Sequence, residues 1–233
     1  MKKTFVVLLV CIMILGLATI AQAAQYPETT KNLVTAVTGE TGATAHYRAF
    51  ADVAKREGHR ELGRIFQAIS DAEEKHAADQ FVILRTIDPA AVKPVAGPVN
   101  TGTTRQNLQF AIDGETYEYR QMYPPFVSWA TSEDHAPARQ IFRWAMRAEE
   151  VHANIYTALL ADFPGFDRAK YETLFRCLVC GNIFFNTTPD RCPICNEPKE
   201  KFVDYEISNK YGCNVGLTAL ALGLIPFIVR RRK

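Results

Sequence analysis

The feature that most constrains this chain is charge placed where a helical core should be. Glu40, then Glu73 and His76, then Glu115 and Glu118, then Glu149 and His152 interrupt four apolar stripes of helical spacing. The stripes themselves are clear. Leu33, Val37, Thr44, Tyr47 and Ala51 continue through Glu40, and Leu62, Ile65, Ile69, Ile83 and Ile87 continue through Glu73 and His76. Leu108, Ala111, Met122 and Trp129 run through Glu115 and Glu118, and Ile141, Ala145, Ile155 and Leu159 through Glu149 and His152. Steps of three and four residues keep such positions on one helix face. A single glutamate of this kind is ordinarily a solvated one. Five carboxylates converging in one core are not tolerable unpaired, because a buried lone charge costs many kcal/mol. Bound cations are the simplest compensation.

The pattern is duplicated. Gly39-Glu40-Thr41 recurs as Gly114-Glu115-Thr116, 75 residues later. Ile65-Phe66 recurs as Ile141-Phe142, and Ala72-Glu73-Glu74-x-His76 as Ala148-Glu149-Glu150-x-His152, both 76 later, so the second copy holds one inserted residue. Each copy reads as a helical hairpin. Gly58 and Asp88-Pro89 punctuate the first, and Thr103-x-x-Gln106 forms a capping box that opens the third helix. Pro124-Pro125 should kink that helix. The Pro-, Gly- and Val-rich stretch from Asp88 to Gly102 has no helical period and reads as a long crossover between the hairpins. Two Glu plus two Glu-x-x-His units form the ligand pattern of di-metal carboxylate bundles. Oxygen and imidazole donors suit iron or manganese, with zinc as a further candidate. Glu74 and Glu150 fall one position off the stripe and read as solvated or as supports to the ligands. His46, His59 and His135 share no such phase and read as surface or hydrogen-bonded histidines.

A second metal signature follows. Cys177-Leu-Val-Cys180-Gly and Cys192-Pro-Ile-Cys195 are separated by 11 residues. Two such knuckles make a tetrahedral sulfur site for iron or zinc. Two disulfides are the alternative in an exported protein. The C-x-x-C loop is short for an easy disulfide, and the paired knuckles are a specific signal. The module is too small for a substantial core, so its metal must supply much of its folding free energy.

The two ends read as address labels. Lys2-Lys3, the uncharged run Phe5 to Ile20 and Ala21-Gln22-Ala23 form a secretory signal peptide cleaved after Ala23. An uncleaved anchor is the rival, although 16 apolar residues are short for a span of about 20. Cys11 belongs to this segment. At the other end Val215 to Val229 is uncharged and mostly apolar, and Arg230, Arg231, Arg232 and Lys233 close the chain. The basic tail would stay cytoplasmic while the body is exported. Gly212-Cys213-Asn214 followed by an apolar helix and a basic cluster resembles bacterial C-terminal sorting signals; a simple tail anchor is the alternative. Without those terminal charges the body carries 21 basic and 25 acidic residues, scattered among one another. That distribution argues against a nucleic-acid partner.

On these motifs, residues 28 to 207 resemble the rubrerythrins. The resemblance implies a mainly α protein, a ferritin-like four-helix bundle with a long crossover plus a small rubredoxin-like four-cysteine domain. The corresponding expectation is a signal peptide at 1–23, the bundle at 24–168, the rubredoxin-like domain at 172–207 and a membrane or sorting tail at 212–233. It implies two Fe ions on Glu40, Glu73, His76, Glu115, Glu118, Glu149 and His152, and one Fe (or Zn) on Cys177, Cys180, Cys192 and Cys195. The segment Gln121-Met122-Tyr123-Pro124 is similar to the family's third-helix segment, and Tyr47 and Tyr123 match its tyrosines beside the di-iron site; plain core aromatics are the alternative for both. The implied activity is reduction of hydrogen peroxide to water with electrons relayed through the four-cysteine iron. The implied partners are an electron donor protein or reductase and a second copy of the chain, the relay of one chain facing the di-iron site of the other. Also implied is a redox-linked exchange in which Glu118 binds iron when oxidised and His76 when reduced. Ala43 stands in the first copy where Glu118 stands in the second, so the two half-sites are unequal. A ferritin-like iron-binding or ferroxidase protein is the alternative function. The ends depart from the familiar pattern and predict an exported, envelope-associated protein held by its tail at the membrane.

Overall fold

The structure is a computed structural model that describes residues 25–165 and 168–205. The expected signal peptide and the C-terminal tail with Cys213 lie outside the described residues. Among the described residues no helix is long and apolar enough to cross a membrane.

The two hairpins are present. Helix α1 spans Pro27–Arg56 and α2 Arg60–Ile87, joined by a turn in which Gly58 takes φ +89°. The crossover is without helix or strand until Thr103, whose hydroxyl caps α3, Thr104–Tyr117, while the Gln106 side chain accepts from the Thr103 backbone N–H at 2.9 Å. A π-helical turn, Glu118–Met122, follows α3, and then α4, Tyr123–Ser132, and α5, Ala136–Asp162. Pro124 and Pro125 fall at the start of α4, where missing N–H donors are best tolerated.

The π turn contains one residue more than an α turn and shifts the helical phase. The third stripe therefore does not run on to Trp129, which is 47% exposed. It continues at Tyr123, Phe126 and Ala130, all buried. A π turn is a common result of a one-residue insertion, and the repeat brackets the insertion here. The offset is 75 at Glu115 and 76 at Tyr123, which pairs with Tyr47.

Apolar packing lies on both sides of a charged layer. On one side Phe50, Leu62, Phe66, Leu108 and Tyr156 pack together, and on the other Leu33, Ile87, Tyr123, Phe126 and Phe142. Burial of each such side chain stabilises by about 1.5–3 kcal/mol, which lets the layer between them stay polar.

The C-terminal module is a three-stranded antiparallel sheet in the order β2-β1-β3, with β1 Leu174–Cys177, β2 Ile183–Phe185 and β3 Phe202–Asp204. Leu174 pairs with Phe185 and Cys177 with Phe202. The module is seated on the bundle of its own chain. The Arg64 guanidinium donates to the carbonyls of Tyr171, Glu172 (2.9 Å) and Tyr205 (2.8 Å), and Arg147 donates to that of Pro193 at 2.8 Å. The Tyr205 hydroxyl donates to Asp71 at 2.8 Å. Leu174 and Ile183 join the bundle core, and Trp144, Ala148 and Val151 pack against the cysteine cluster. Within one chain the four-cysteine module therefore faces the carboxylate layer of its own bundle. Arg64 fixes the connector, which leads β1 back along α2 and α5 of the same chain.

Candidate metal centres

The seven Glu and His residues expected as ligands come together in one layer. Glu40, Glu73, Glu115, Glu149 and His152 are fully buried, His76 is 5% exposed and Glu118 8%. Their donor atoms form two overlapping groups. Glu40, Glu73, His76 and Glu149 each offer an atom within 4.8 Å of the others, and so do Glu73, Glu115, Glu149 and His152. Glu73 and Glu149 belong to both groups and are placed to bridge two ions. His76 Nδ1 lies 3.0 Å from both Glu73 and Glu149, and His152 Nδ1 lies 3.0 Å from the same pair. Glu118 belongs to neither group. The π turn holds it at the edge of the layer, beside Gly39 of α1.

The donor set fits a pair of cations. Apart from the two imidazoles, no donor reaches either oxygen of Glu115 or Glu149, or one oxygen each of Glu40, Glu73 and Glu118, although all are buried. Leaving such groups unpaired costs several kcal/mol apiece. Two divalent ions balance four carboxylates and supply the missing partners. Protons otherwise fill that role. Burial, then the charge of Glu73, pushes Glu115 up to about 8. Burial followed by Glu118 raises Glu40, and burial followed by Glu115 raises Glu118. Glu73 is held below the carboxylate range: burial opposes this, but the charge and hydrogen bonds of His152 and His76 outweigh it. Both imidazoles are raised, against burial, chiefly by Glu149 for His76 and Glu73 for His152. Metal binding would release these protons.

The histidines are held from behind by the four-cysteine module. His76 Nε2 lies 3.0 Å from the carbonyl oxygen of Cys180, and His152 Nε2 3.2 Å from that of Gly181. A carbonyl only accepts, so each Nε2 carries a proton; each Nδ1 faces the carboxylates, donating to them as an N–H without metal and offering its lone pair once a cation displaces that proton. Two consecutive carbonyls of one knuckle thus fix both imidazoles.

In the module, the described cysteines are free. Cys177 Sγ stands 3.6 Å from Cys195 Sγ, and Cys180 Sγ 3.4 Å from Cys192 Sγ. A disulfide needs about 2.05 Å, whereas a tetrahedral metal with bonds of about 2.3 Å sets sulfurs about 3.8 Å apart. Burial pushes the Cys195 thiol up to about 12, while hydrogen bonds from Cys177 and Cys180 lower Cys192. The four sulfurs cannot all ionise without a cation.

Around the layer, Tyr123 donates its hydroxyl proton to Glu40 and accepts from Gln80 Nε2 at 2.7 Å. Tyr47 packs among Phe50, Phe66 and Tyr156. Gln80 and Tyr156 were not anticipated, yet they occupy equivalent places seven residues beyond Glu73 and Glu149, on the same stripes. The Tyr156 hydroxyl is buried without a hydrogen bond. Glu74 is exposed and pairs with Arg48 at 2.6 Å. Of the three other histidines, His135 accepts from the Ala138 N–H at 3.1 Å and caps α5. The His59 ring packs at a tilt against Phe163, and His46 Nδ1 lies 2.9 Å from the Gly42 carbonyl.

Comparison with known proteins agrees with this architecture. A profile described as rubrerythrin matches residues 31–160, and one described as the rubrerythrin rubredoxin-like domain matches 175–203. Nigerythrin of Nitratidesulfovibrio vulgaris is 35% identical over 177 residues, covering 76% of this chain and 86% of that protein. Rubrerythrin of Porphyromonas gingivalis is 33% identical over 181 residues, covering 75% and 88%. The solved fully reduced, all-ferrous state of nigerythrin superposes with a TM-score of 0.72 at 34% identity, over 76% of this chain and 86% of that one. The chain belongs to the rubrerythrin family, di-iron oxidoreductases in which a ferritin-like bundle carries the iron pair and a rubredoxin-like domain carries a further iron.

Proposed function

We propose that the chain is a peroxidase that reduces hydrogen peroxide to water with electrons entering through the four-cysteine iron. The balance is one peroxide, two electrons and two protons giving two waters. When bound, the iron pair supplies two electrons at one place and a Lewis-acidic clamp on both oxygens. The protein's own residues do the rest. Glu73 and Glu149 are placed to bridge, Glu40 with His76 and Glu115 with His152 to complete the two ends, and Glu118 to join from the edge of the layer. Gln80 and Tyr123 hold Glu40 by a donor chain that ends on its carboxylate.

The observation that carries this reading is the pair of contacts from Cys180 and Gly181 to His76 and His152. They join a sulfur ligand of one centre to a nitrogen donor of the other through a covalent path and a single hydrogen bond. An iron store or ferroxidase has no need of such an inlet. The placement of the donors also supports the exchange of Glu118 for His76, since His76 sits within a donor group and Glu118 stands outside both. The test is single-turnover oxidation of the reduced protein. Peroxide should oxidise both centres faster than dioxygen does; the reverse order, or zinc at the cysteines of the natively isolated protein, would refute the peroxidase relay.

The reading extends to location. The signal segment and basic tail support a protein exported to the cell envelope and membrane-held. Truncation after Lys210 should release it. Recovery of the full-length chain in the soluble cytoplasmic fraction would refute both labels.

A further inference from the structure

A cavity of about 280 Å³ opens between α1 and α3, and its wall contains Gly39, Gly42, Ala43, Gly114 and the edge ligand Glu118. The three glycines lie inside helices. Each weakens its helix relative to alanine. None of the three has a positive φ, so the backbone does not require them. What they supply is space. A Cβ on Gly39 would stand 3.7 Å from Glu118 Oε1, one on Gly114 3.7 Å from the Tyr47 hydroxyl, and one on Gly42 would meet nothing within 4 Å. Glu118 itself is only 8% exposed, and its Oε2 makes no hydrogen bond. It is a buried, unpartnered carboxylate in the wall of an open cavity.

Two other cavities among the described residues offer less. Where the module covers His76, between Trp144, Val179 and Cys180, the free space is about 10 Å³, at the limit of what one water needs. A further cavity of about 180 Å³, lined by Thr44, Ala45 and Arg48, has none of the seven layer residues in its wall. The rim of the glycine-walled cavity is braced. The His46 imidazole is tied to the Gly42 carbonyl at 2.9 Å and stacks on Phe110 at 5.2 Å.

We propose that this cavity is the route by which hydrogen peroxide reaches the iron pair, with Gly42 setting its bore and Glu118 the first layer residue the oxidant meets. The identity of the oxidant rests on the peroxidase reading; the route does not. Azide is the probe, since it binds oxidised iron directly and reports through its own visible absorption. In iron-loaded, oxidised full-length protein, Gly42→Leu and the more flexible Gly42→Met should slow azide binding about tenfold or more, an added barrier of ~1.4 kcal/mol. Ala45→Leu, on the neighbouring cavity, should bind azide at the wild-type rate. All three variants should keep the wild-type iron content, and the position 42 variants should melt no lower, because the new side chains enter open space in a helix. Peroxide oxidation of the reduced protein should slow in parallel. Wild-type azide kinetics in folded, loaded Gly42→Leu and Gly42→Met would overturn the route. Slowed azide with a wild-type protein that peroxide fails to oxidise would leave the route standing and overturn peroxide as its cargo.

Discussion

Gly181 offers the sharpest test of the contact between the two centres. It follows the first knuckle with φ +76°, and a Cβ there would stand 2.7 Å from His76 Nε2 and 3.0 Å from the Ala72 Cβ. Gly181→Ala therefore has two effects. The left-handed conformation costs about 1–2 kcal/mol for a residue with a Cβ. The methyl group also forces the knuckle away from α2 by roughly 0.7 Å to reach ordinary van der Waals separation. That shift lengthens the 3.0 Å contact from His76 to the Cys180 carbonyl beyond hydrogen-bonding range, and the 3.2 Å contact from His152 with it. Each buried donor left unpaired costs about 1–3 kcal/mol, so docking loses on the order of 2–6 kcal/mol. Strain and clash can be separated. Asn196 occupies the same place after the second knuckle with φ +63°, so asparagine is tolerated in that conformation. Gly181→Asn should keep the four-cysteine spectrum and reproduce most of the defect. The assay mixes fully reduced protein with peroxide and follows reoxidation of the four-cysteine iron by its visible absorption. Both variants should reoxidise that iron at least about tenfold more slowly, a barrier of ~1.4 kcal/mol, while the di-iron centre reacts as before. Wild-type reoxidation in both would refute the hydrogen-bonded path.

Three further outcomes follow from the same geometry. Cys177→Ser should leave a folded, di-iron-loaded bundle, because the bundle core includes none of the cysteines; it should abolish turnover with an external reductant but spare one round of peroxide reduction, and surviving steady-state turnover would remove the relay. Tyr123→Phe strips a donor from Glu40 and an acceptor from Gln80; thermal melting of the metal-free protein should report a loss of about 1–3 kcal/mol, and an unchanged melting temperature would show the hydroxyl to be incidental. Glu118→Ala should bind two ferrous ions nearly as well as wild type and react more slowly with peroxide; structures of both redox states with unchanged Glu118–iron and His76–iron distances would refute the exchange.

Much of this was legible in the sequence because the signals are local. Glu73 and His76, three apart, must share a helix face wherever that helix lies, and the duplicate at Glu149 and His152 removes the chance explanation. Thr103 and Gln106 form a cap from residues a single turn apart. The two C-x-x-C knuckles carry their geometry within four residues each. What was not legible depends on packing between distant segments. The seating of Cys180 and Gly181 against His76 and His152 joins residues 104 and 29 positions apart, and nothing near either partner announces it. Gln80 and Tyr156 lie seven residues beyond Glu73 and Glu149 on the same stripes, but no ligand-type spacing marks them out. Trp129 was misplaced for a physical reason: a stripe extrapolated at constant period crosses a π turn and comes out on the wrong face.

That turn ties the inserted residue to the chemistry. In the first copy α1 runs unbroken from Glu40 to Tyr47, whereas in the second the interval from Glu115 to Tyr123 contains one residue more, taken up by Glu118–Met122. Had the second copy kept the α period, Glu115 and Tyr123 could not both have kept the phase of Glu40 and Tyr47. The insertion lets Tyr123 face inward onto Glu40 while Glu118 remains on the layer side of the turn. A wide turn also leaves Glu118 held less rigidly by regular i→i−4 bonding than its neighbours on α3. The corresponding position of the first copy, Ala43, contributes only a methyl group, and it lines the cavity into which Glu118 faces. One copy thus supplies a carboxylate at the edge of the layer and the other the room in front of it. A pair of identical hairpins would have given two equivalent half-sites. The Glu118-for-Ala43 difference makes them unequal on the side of the glycine-walled cavity, whereas His76 and His152 are covered by the four-cysteine module.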